Sequence, residues 1–300
     1  MKHLLLTAVL LAGSLAATAQ DFAEPAFRSP VVAVEFTGQR CRYCPDMTRS
    51  LVERQKEHGK ENYIITALHS REDYSVMPGN HVSLYNAEAP LYAQSIEVHQ
   101  GLPQLAYNTL GPKVPDNVLE NIYKESDLLE CSGSVFFNDK NEYVINLETR
   151  LRSNMQEFVQ GTQIDILFWA LENDIVAIQD DNGTWTYPSH QHIFRGSING
   201  TWGKPYQIGS RYSASLAVPD GVGVVENSEV VVFFLDHGSK TILDAALFEV
   251  KAAADTGIEG IESAPAENPD APMFNVMGQQ IKEPYRGQIY IQNGKKYIAQ

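Results

Sequence analysis

Positive charge is what this chain most lacks. Its 300 residues carry 23 Lys and Arg against 37 Asp and Glu, a formal net charge of −14. No basic cluster offsets this; Lys295-Lys296 is the densest spot. A balance of that sign opposes nucleic acid and anionic membrane surfaces through bulk electrostatics, so no nucleic-acid partner is expected. Long apolar runs are missing after the first twenty residues, so nothing later should span a membrane as a helix, which takes about 20 apolar residues. P-loop, dinucleotide-binding, HExxH and GxSxG patterns are all absent, and no cofactor or metal is expected. Cysteine is scarce as well, with three in the whole chain.

What is present begins with MKHLLLTAVLLAGSLAATAQ. Lys2 gives a positive start, Leu4 to Ala17 an apolar run, and Ala17-Thr18-Ala19 a small-residue cleavage site, the order of a secretory signal over 1–19. No cysteine follows to make a lipobox. The mature protein is expected to begin at Gln20 and to work in an oxidising compartment where disulfides persist. Peripheral membrane association stays open. At about 150 residues per domain, the length accommodates two domains.

The first half alternates element types. Val31 to Thr37 is apolar and β-branched, as in a strand buried on both faces. Asp46 to Gly59 has helical spacing and a glycine stop. Asn62 to His69 is a second strand, giving a β-α-β unit with parallel pairing. A short helix around Ala89 to Val98 and a strand over 101–108 follow, and Asp116 would N-cap a further helix. From about residue 132 short strands are separated by Asn, Asp and Gly turns, the rhythm of an antiparallel sandwich. Residues 252–272 are Ala-, Pro- and acid-rich and read as a linker. The tail, 273–300, should form two or three small strands around Pro284-Tyr285-Arg286-Gly287.

Chemistry centres on Cys41-Arg42-Tyr43-Cys44. Zinc needs about four ligands, and no second Cys pair supplies them. A redox centre and a permanent staple both remain. For the redox reading, Cys41 lies where a buried strand ends and a helix starts, and the helix field and Arg42 both favour thiolate. Pro45 suits the first helical turn. Cys44 would be the resolving thiol. Glu35 sits in an apolar strand, where desolvation would raise its pKa and make it a proton acceptor; the alternative is an ion-paired or solvated Glu35. Pro103, opening a strand, is a candidate cis proline, or else an ordinary edge-strand proline. Cys131 is left over, either as a small buried residue or as a resolving or intermolecular thiol.

VEFTGQRCRYC together with GLPQLAYN resembles a thioredoxin fold. Glu35-Phe36 stands where thioredoxins carry Asp-Phe, and Pro103 matches their cis proline. Arg40 replaces the tryptophan before the first cysteine, and Arg-Tyr replaces Gly-Pro between the pair. EFTGQRCRYCP, with ENDIVAIQDDNGTWTYPSHQHIFRGSINGTWG, is similar to the outer membrane protein 28 family of Gram-negative bacteria. That likeness implies an α/β thioredoxin-like domain over 20–130 followed by an all-β immunoglobulin-like sandwich over 131–251, in a secreted or outer-membrane-associated protein. NVMGQ at 275–279, GQIYI at 287–291 and NGKK at 293–296 resemble the sorting tail of type IX secretion substrates; a plain β cap on the sandwich is the competing reading.

Two histidine features complete the reading. His190 and His192, two apart on a strand, would face one way, which suits a metal, but no third ligand is evident and Arg195 works against one; a polar network with Arg195, near Trp202, is the preferred reading. His69 ends the second strand, on the side of a parallel sheet where ligands usually bind; it either has a role beside the cysteines or, the simpler reading, is an exposed strand-end histidine. Two functions follow. In one, Cys41, Cys44, Glu35 and Pro103 exchange thiols and disulfides with a protein partner. In the other, the fold is a scaffold for a surface ligand and the cysteine pair is structural.

Overall fold

The computed structural model describes residues 30–76, 79, 81–98, 101–112, 128–152, 161–252, 261–262, 271–275, 280–283, 289–292 and 295–298. The segment read as a signal, the helix expected after Asp116 and most of the linker lie outside these. So does the Pro-Tyr-Arg-Gly turn.

The β-α-β unit is present. Strand β1 (Val31–Phe36) and β2 (Tyr63–Leu68) pair in parallel around helix α1 (Cys44–His58). Alternation splits β1 between two cores. Val32, Val34 and Phe36 join a large apolar cluster, while Val31 and Ala33 face Leu51 of α1. By the same period of two, Glu35 falls on the α1 side. Pro45 stands in the first turn of α1, and Gly59 closes it at φ 88°, a left-handed conformation that glycine adopts without steric cost. After the short helices α2 (Glu72–Ser75) and α3 (Ala89–Ser95), β3 (Gln104–Tyr107) returns antiparallel to β1, with Phe36 opposite Gln104.

The later strands are β4 (Leu129–Phe137), β5 (Glu142–Leu151), β6 (Ile164–Glu172), β7 (Ile175–Val176), β8 (Gln179–Asp181), β9 (Thr184–Thr186) and β10 (Ser189–His190). Then come β11 (Ile193–Ser197), β12 (Lys204–Tyr206), β13 (Arg211–Ala217), β14 (Ser228–Asp236) and β15 (Ile242–Ala252). Antiparallel pairing dominates, as the turn rhythm implies. These strands do not make a sheet of their own, however. The order β13-β5-β4-β15-β14-β6-β11-β2-β1-β3 runs through both halves of the chain, with β12 added to β6. The join is β11, antiparallel to β6 on one side and parallel to β2 at Ile193 and Ala67 on the other.

Strand β15 makes the bend. Residues 242–249 pair with β14, whereas 250–252 pair in parallel with β4. The sheet therefore curls, and Tyr143, Ile145 and Leu147 of β5 meet Ile166, Phe168, Val232 and Phe234 in one core. The opposite faces of β6 and β14 point to the first half of the chain. Trp169 is buried there against Tyr92 of α3, Phe194 and Phe233, with centroids 4.6, 4.6 and 4.9 Å away. Its Nε1 donates to the Tyr92 hydroxyl at 3.1 Å, which donates to the Thr201 carbonyl at 2.7 Å. One tryptophan thus fastens α3 to strands distant in sequence. The C-terminal residues form a separate small sheet from β16 (Ile261–Glu262), β17 (Met273–Asn275), β18 (Gln280–Ile281), β19 (Ile289–Gln292) and β20 (Lys295–Ile298).

Candidate functional site

The loop from β1 to α1 carries the cysteines. Thr37 N–H donates to the Leu68 carbonyl at 3.0 Å, which carries the parallel ladder one residue further. Cys41 N–H then donates to the Gly38 carbonyl (3.1 Å), and Cys44 N–H to that of Cys41 (3.2 Å). Cys41 and Cys44 form a disulfide. Cys44 is the first residue of α1 and Tyr43 its N-cap, so the pair does sit at a helix start, two residues earlier than the apolar spacing suggested. Both are buried, Cys41 at 3% and Cys44 at 1% exposure, although Arg42 and Tyr43 between them are open to solvent.

Behind the pair stands Glu35, fully buried. Thr48 Oγ1 donates to its Oε1 at 2.8 Å and also lies 3.2 Å from the Cys44 carbonyl. Glu35 Oε2 has no hydrogen-bond partner among the described residues. Burial pushes its pKa from 4.5 up to about 7, against hydrogen bonds from Thr48 and Thr37 that pull it down. Among the described residues it has no ion-pair partner, and its polar neighbours are the uncharged hydroxyls of Thr48 and Thr37. The Leu102–Pro103 peptide is cis. Pro103 precedes Gln104, the partner of Phe36, so it lies level with the beginning of the cysteine loop.

A hairpin from the second half lies along this loop. Asp180 N–H donates to the Gln39 carbonyl (2.8 Å) and Asn182 N–H to that of Arg42 (3.0 Å). Gln179 Nε2 reaches the carbonyls of Gly38 (3.3 Å) and Cys41 (3.2 Å). In return, Gln39 Nε2 donates to the Ile178 carbonyl at 3.0 Å. Arg49 of α1 pairs with Asp181 at 3.1 Å, and with Asp46. Sequence reading missed this cover, yet Asn182-Gly183 is a strong hairpin signal, and both residues have positive φ, 53° and 89°.

Several expectations need correction. His69 is not exposed: it is 1% accessible, because β11 adds to β2 and roofs its end. Its Nδ1 is 3.3 Å from Ser75 Oγ, and burial, with lesser contributions from the charges of His190 and Arg195, holds the ring well below the usual histidine pKa. His190 and His192 do not share a strand face, since the strand ends at His190 and His192 has φ 57°. His190 Nε2 meets the Ala177 carbonyl (3.3 Å), whereas His192 spans Glu229 (2.9 Å) and Gln55 (3.2 Å). Arg195 pairs with Glu172, its Nε 2.9 Å from Oε2. Trp202 packs instead on Tyr92, centroids 5.3 Å apart. Cys131 is a free thiol in β4, half-buried, with its pKa pushed up to about 12 by burial and then by the charge of Asp244.

No family model matches the chain, and no curated protein does. Among solved structures, the chain is similar to HBP35 of Porphyromonas gingivalis, at 15% identity and a TM-score of 0.57, over 92% of this chain and 99% of that one. A domain of the outer membrane lipoprotein Omp28 from Porphyromonas gingivalis also matches, at 16% identity and a TM-score of 0.31, over 42% of this chain and 97% of that one. The first likeness establishes a shared fold along most of the chain. The second bears the name of the family that the sequence motifs resemble, with a superposition too poor to build on.

Proposed function

We propose that this chain is an exported cell-envelope protein of the outer membrane protein 28 type, whose Cys41–Cys44 centre exchanges disulfides with a protein partner. The observation that carries the reading is Glu35. A structural staple needs no carboxyl group behind it, and an apolar residue there would avoid the desolvation penalty. An acid that titrates near neutrality, joined through Thr48 to the turn at Cys44, suits a group that takes a proton from the resolving thiol. In that scheme the Cys41 thiolate attacks a partner disulfide and expels one partner thiolate. Cys44 passes its proton to Glu35 and attacks the Cys41 sulfur. The partner leaves reduced and the centre is left oxidised. The helix start favours the Cys41 thiolate, and the Pro103 segment, level with the start of the cysteine loop, would shape the groove that receives the partner chain.

Burial of both sulfurs favours a second reading, a permanent disulfide in a surface scaffold. Under the first reading the hairpin β8–β9 must shift to admit a partner. The reduction potential separates the two: a value well below about −300 mV marks a structural bond, a more oxidising one suits exchange. Insulin reduction completes the test. Wild type should outpace Cys41→Ser, and equal rates would sink the exchange proposal. The signal-like residues 1–19 and the sorting-like tail support export, which fractionation of cells expressing the whole gene would check.

A further inference from the structure

Beside the disulfide, between α1 and the segment 188–193, lies a cavity of about 400 Å3, within the range of small-molecule sites. Its floor is buried: Glu35, Ile65, Ala67, His69 and Ile193. Its rim is solvent-exposed and of mixed sign, with Arg49, Glu53 and Lys56 on α1. The wall is mainly hydrocarbon, from Val52, Ile65, Ala67, Ile193 and two prolines.

Two floor atoms set it apart from an ordinary packing gap. Glu35 Oε2 and His69 Nε2 are both buried and both without a hydrogen-bond partner among the described residues, and both residues line this one cavity. A buried polar atom left alone forfeits its hydration without compensation, and such atoms in folded proteins nearly always have a partner. Two orphans on residues that line one space call for an occupant able to hydrogen-bond.

We infer that the cavity is a binding site for an uncharged, largely apolar small molecule carrying one protic head group, such as a hydroxyl, which Glu35 and His69 receive. The walls select the apolar body. The orphaned atoms select a head that can both give and accept a hydrogen bond. An anionic head would meet Glu35. A cationic one would lose its hydration among mostly apolar walls, with Arg49 and Lys56 offsetting Glu53 at the rim, and burying a charge is costly. The inference goes beyond thiol exchange and does not depend on it, since it concerns the oxidised protein at rest.

Benzyl alcohol is the probe, with toluene, benzylamine and benzoate as its apolar, cationic and anionic counterparts. Amide chemical shifts of the oxidised full chain report occupancy at residues 35, 69 and 191–193. Benzyl alcohol should bind at least about tenfold more tightly than each counterpart. His69→Phe keeps the ring and removes the nitrogens; it should weaken the alcohol about tenfold and leave toluene unchanged. Glu35→Met repeats the test from the other side, and an unchanged amide spectrum elsewhere shows that each variant folds. Equal affinity for alcohol and toluene would reduce the cavity to an apolar gap. Tighter binding of the amine would overturn the choice of head group. No shift at about 10 mM, where even a millimolar site is mostly filled, would mean that the cavity takes solvent alone.

Discussion

Replacing Glu35 by Gln should make the protein more stable, and only above a certain pH. In the unfolded chain this carboxyl ionises near 4.5, and in the folded protein near 7. Between those values the folded state keeps a proton that the unfolded state has released. Stability therefore falls as pH rises through this window, is unaffected by Glu35 below it, and loses nothing more above it. At about 1.4 kcal/mol per pH unit, the displacement amounts to about 3 kcal/mol. Gln retains an oxygen to accept from Thr48 and presents no charge to desolvate. Urea unfolding of both proteins from pH 4.5 to 8.5 measures the difference. The variant should gain about 3 kcal/mol on wild type across that span, most of it between pH 5 and 7. Carboxylates held below 4.5, such as Glu229, act in both proteins and cancel. Parallel curves would show that Glu35 is solvated or paired in solution, and would remove its role as proton acceptor.

Arg49→Ala cuts the exposed pair with Asp181, so it should cost under about 1 kcal/mol of stability. It should nonetheless speed reduction of the Cys41–Cys44 bond by a small dithiol several-fold; an unchanged rate would show that the hairpin is no barrier. Gly203 has φ 74°, and a Cβ there would stand 2.3 Å from the Ile166 carbonyl oxygen, so Gly203→Ala should cost at least about 1–3 kcal/mol in thermal unfolding. A loss below about 0.5 kcal/mol, the scatter of ordinary surface substitutions, would mean that the turn adapts. Burial alone would raise Glu229, but hydrogen bonding and charge from His192, with Lys60 and Asn173, outweigh it and bring the carboxyl to about 2. Its stabilising effect is whole above 4.5 and is lost as pH falls through 2. His192→Leu should therefore cost about 3–5 kcal/mol at pH 6 and flatten the acid limb of the stability profile; an unaltered limb would refute the pairing.

Much of the first half was legible because its signals are local. An apolar β-branched run, proline in the first helical turn and glycine at the close mark β1 and α1 without help from the rest of the chain. Glu35 was legible as an anomaly, a charge inside that run. Strands after residue 132 announced themselves by alternation, but their destination did not. Whether β2 ends as an edge or pairs with β11 depends on residues 125 or more positions away, and β11 is only five residues long. The error at His69 follows from that hidden pairing. The error at His192 follows from a left-handed residue that breaks the period of two. Gln39 and Gln179, which tie the hairpin to the cysteine loop, carry no signature at all; any surface glutamine looks the same in sequence.

The hairpin's grip can be weighed from its contacts. Four hydrogen bonds join residues 179–182 to the loop 38–42, and an exposed ion pair joins it to α1. At about 1 kcal/mol net for each hydrogen bond and less for the pair, release costs about 4–5 kcal/mol. Global unfolding of an ordinary domain takes about 5–15 kcal/mol, so the cover is among the parts able to open while the core stays closed. Trp185 beside the turn is exposed already, so little apolar surface is uncovered on release. An open fraction near 10^-3 follows from that cost, at 1.4 kcal/mol per decade. Such a fraction slows exchange about a thousandfold without forbidding it. A partner that binds the hairpin in its released position would remove the restraint by mass action. Under this arithmetic, burial of Cys41 in the resting protein and exchange through Cys41 on contact with a partner are compatible.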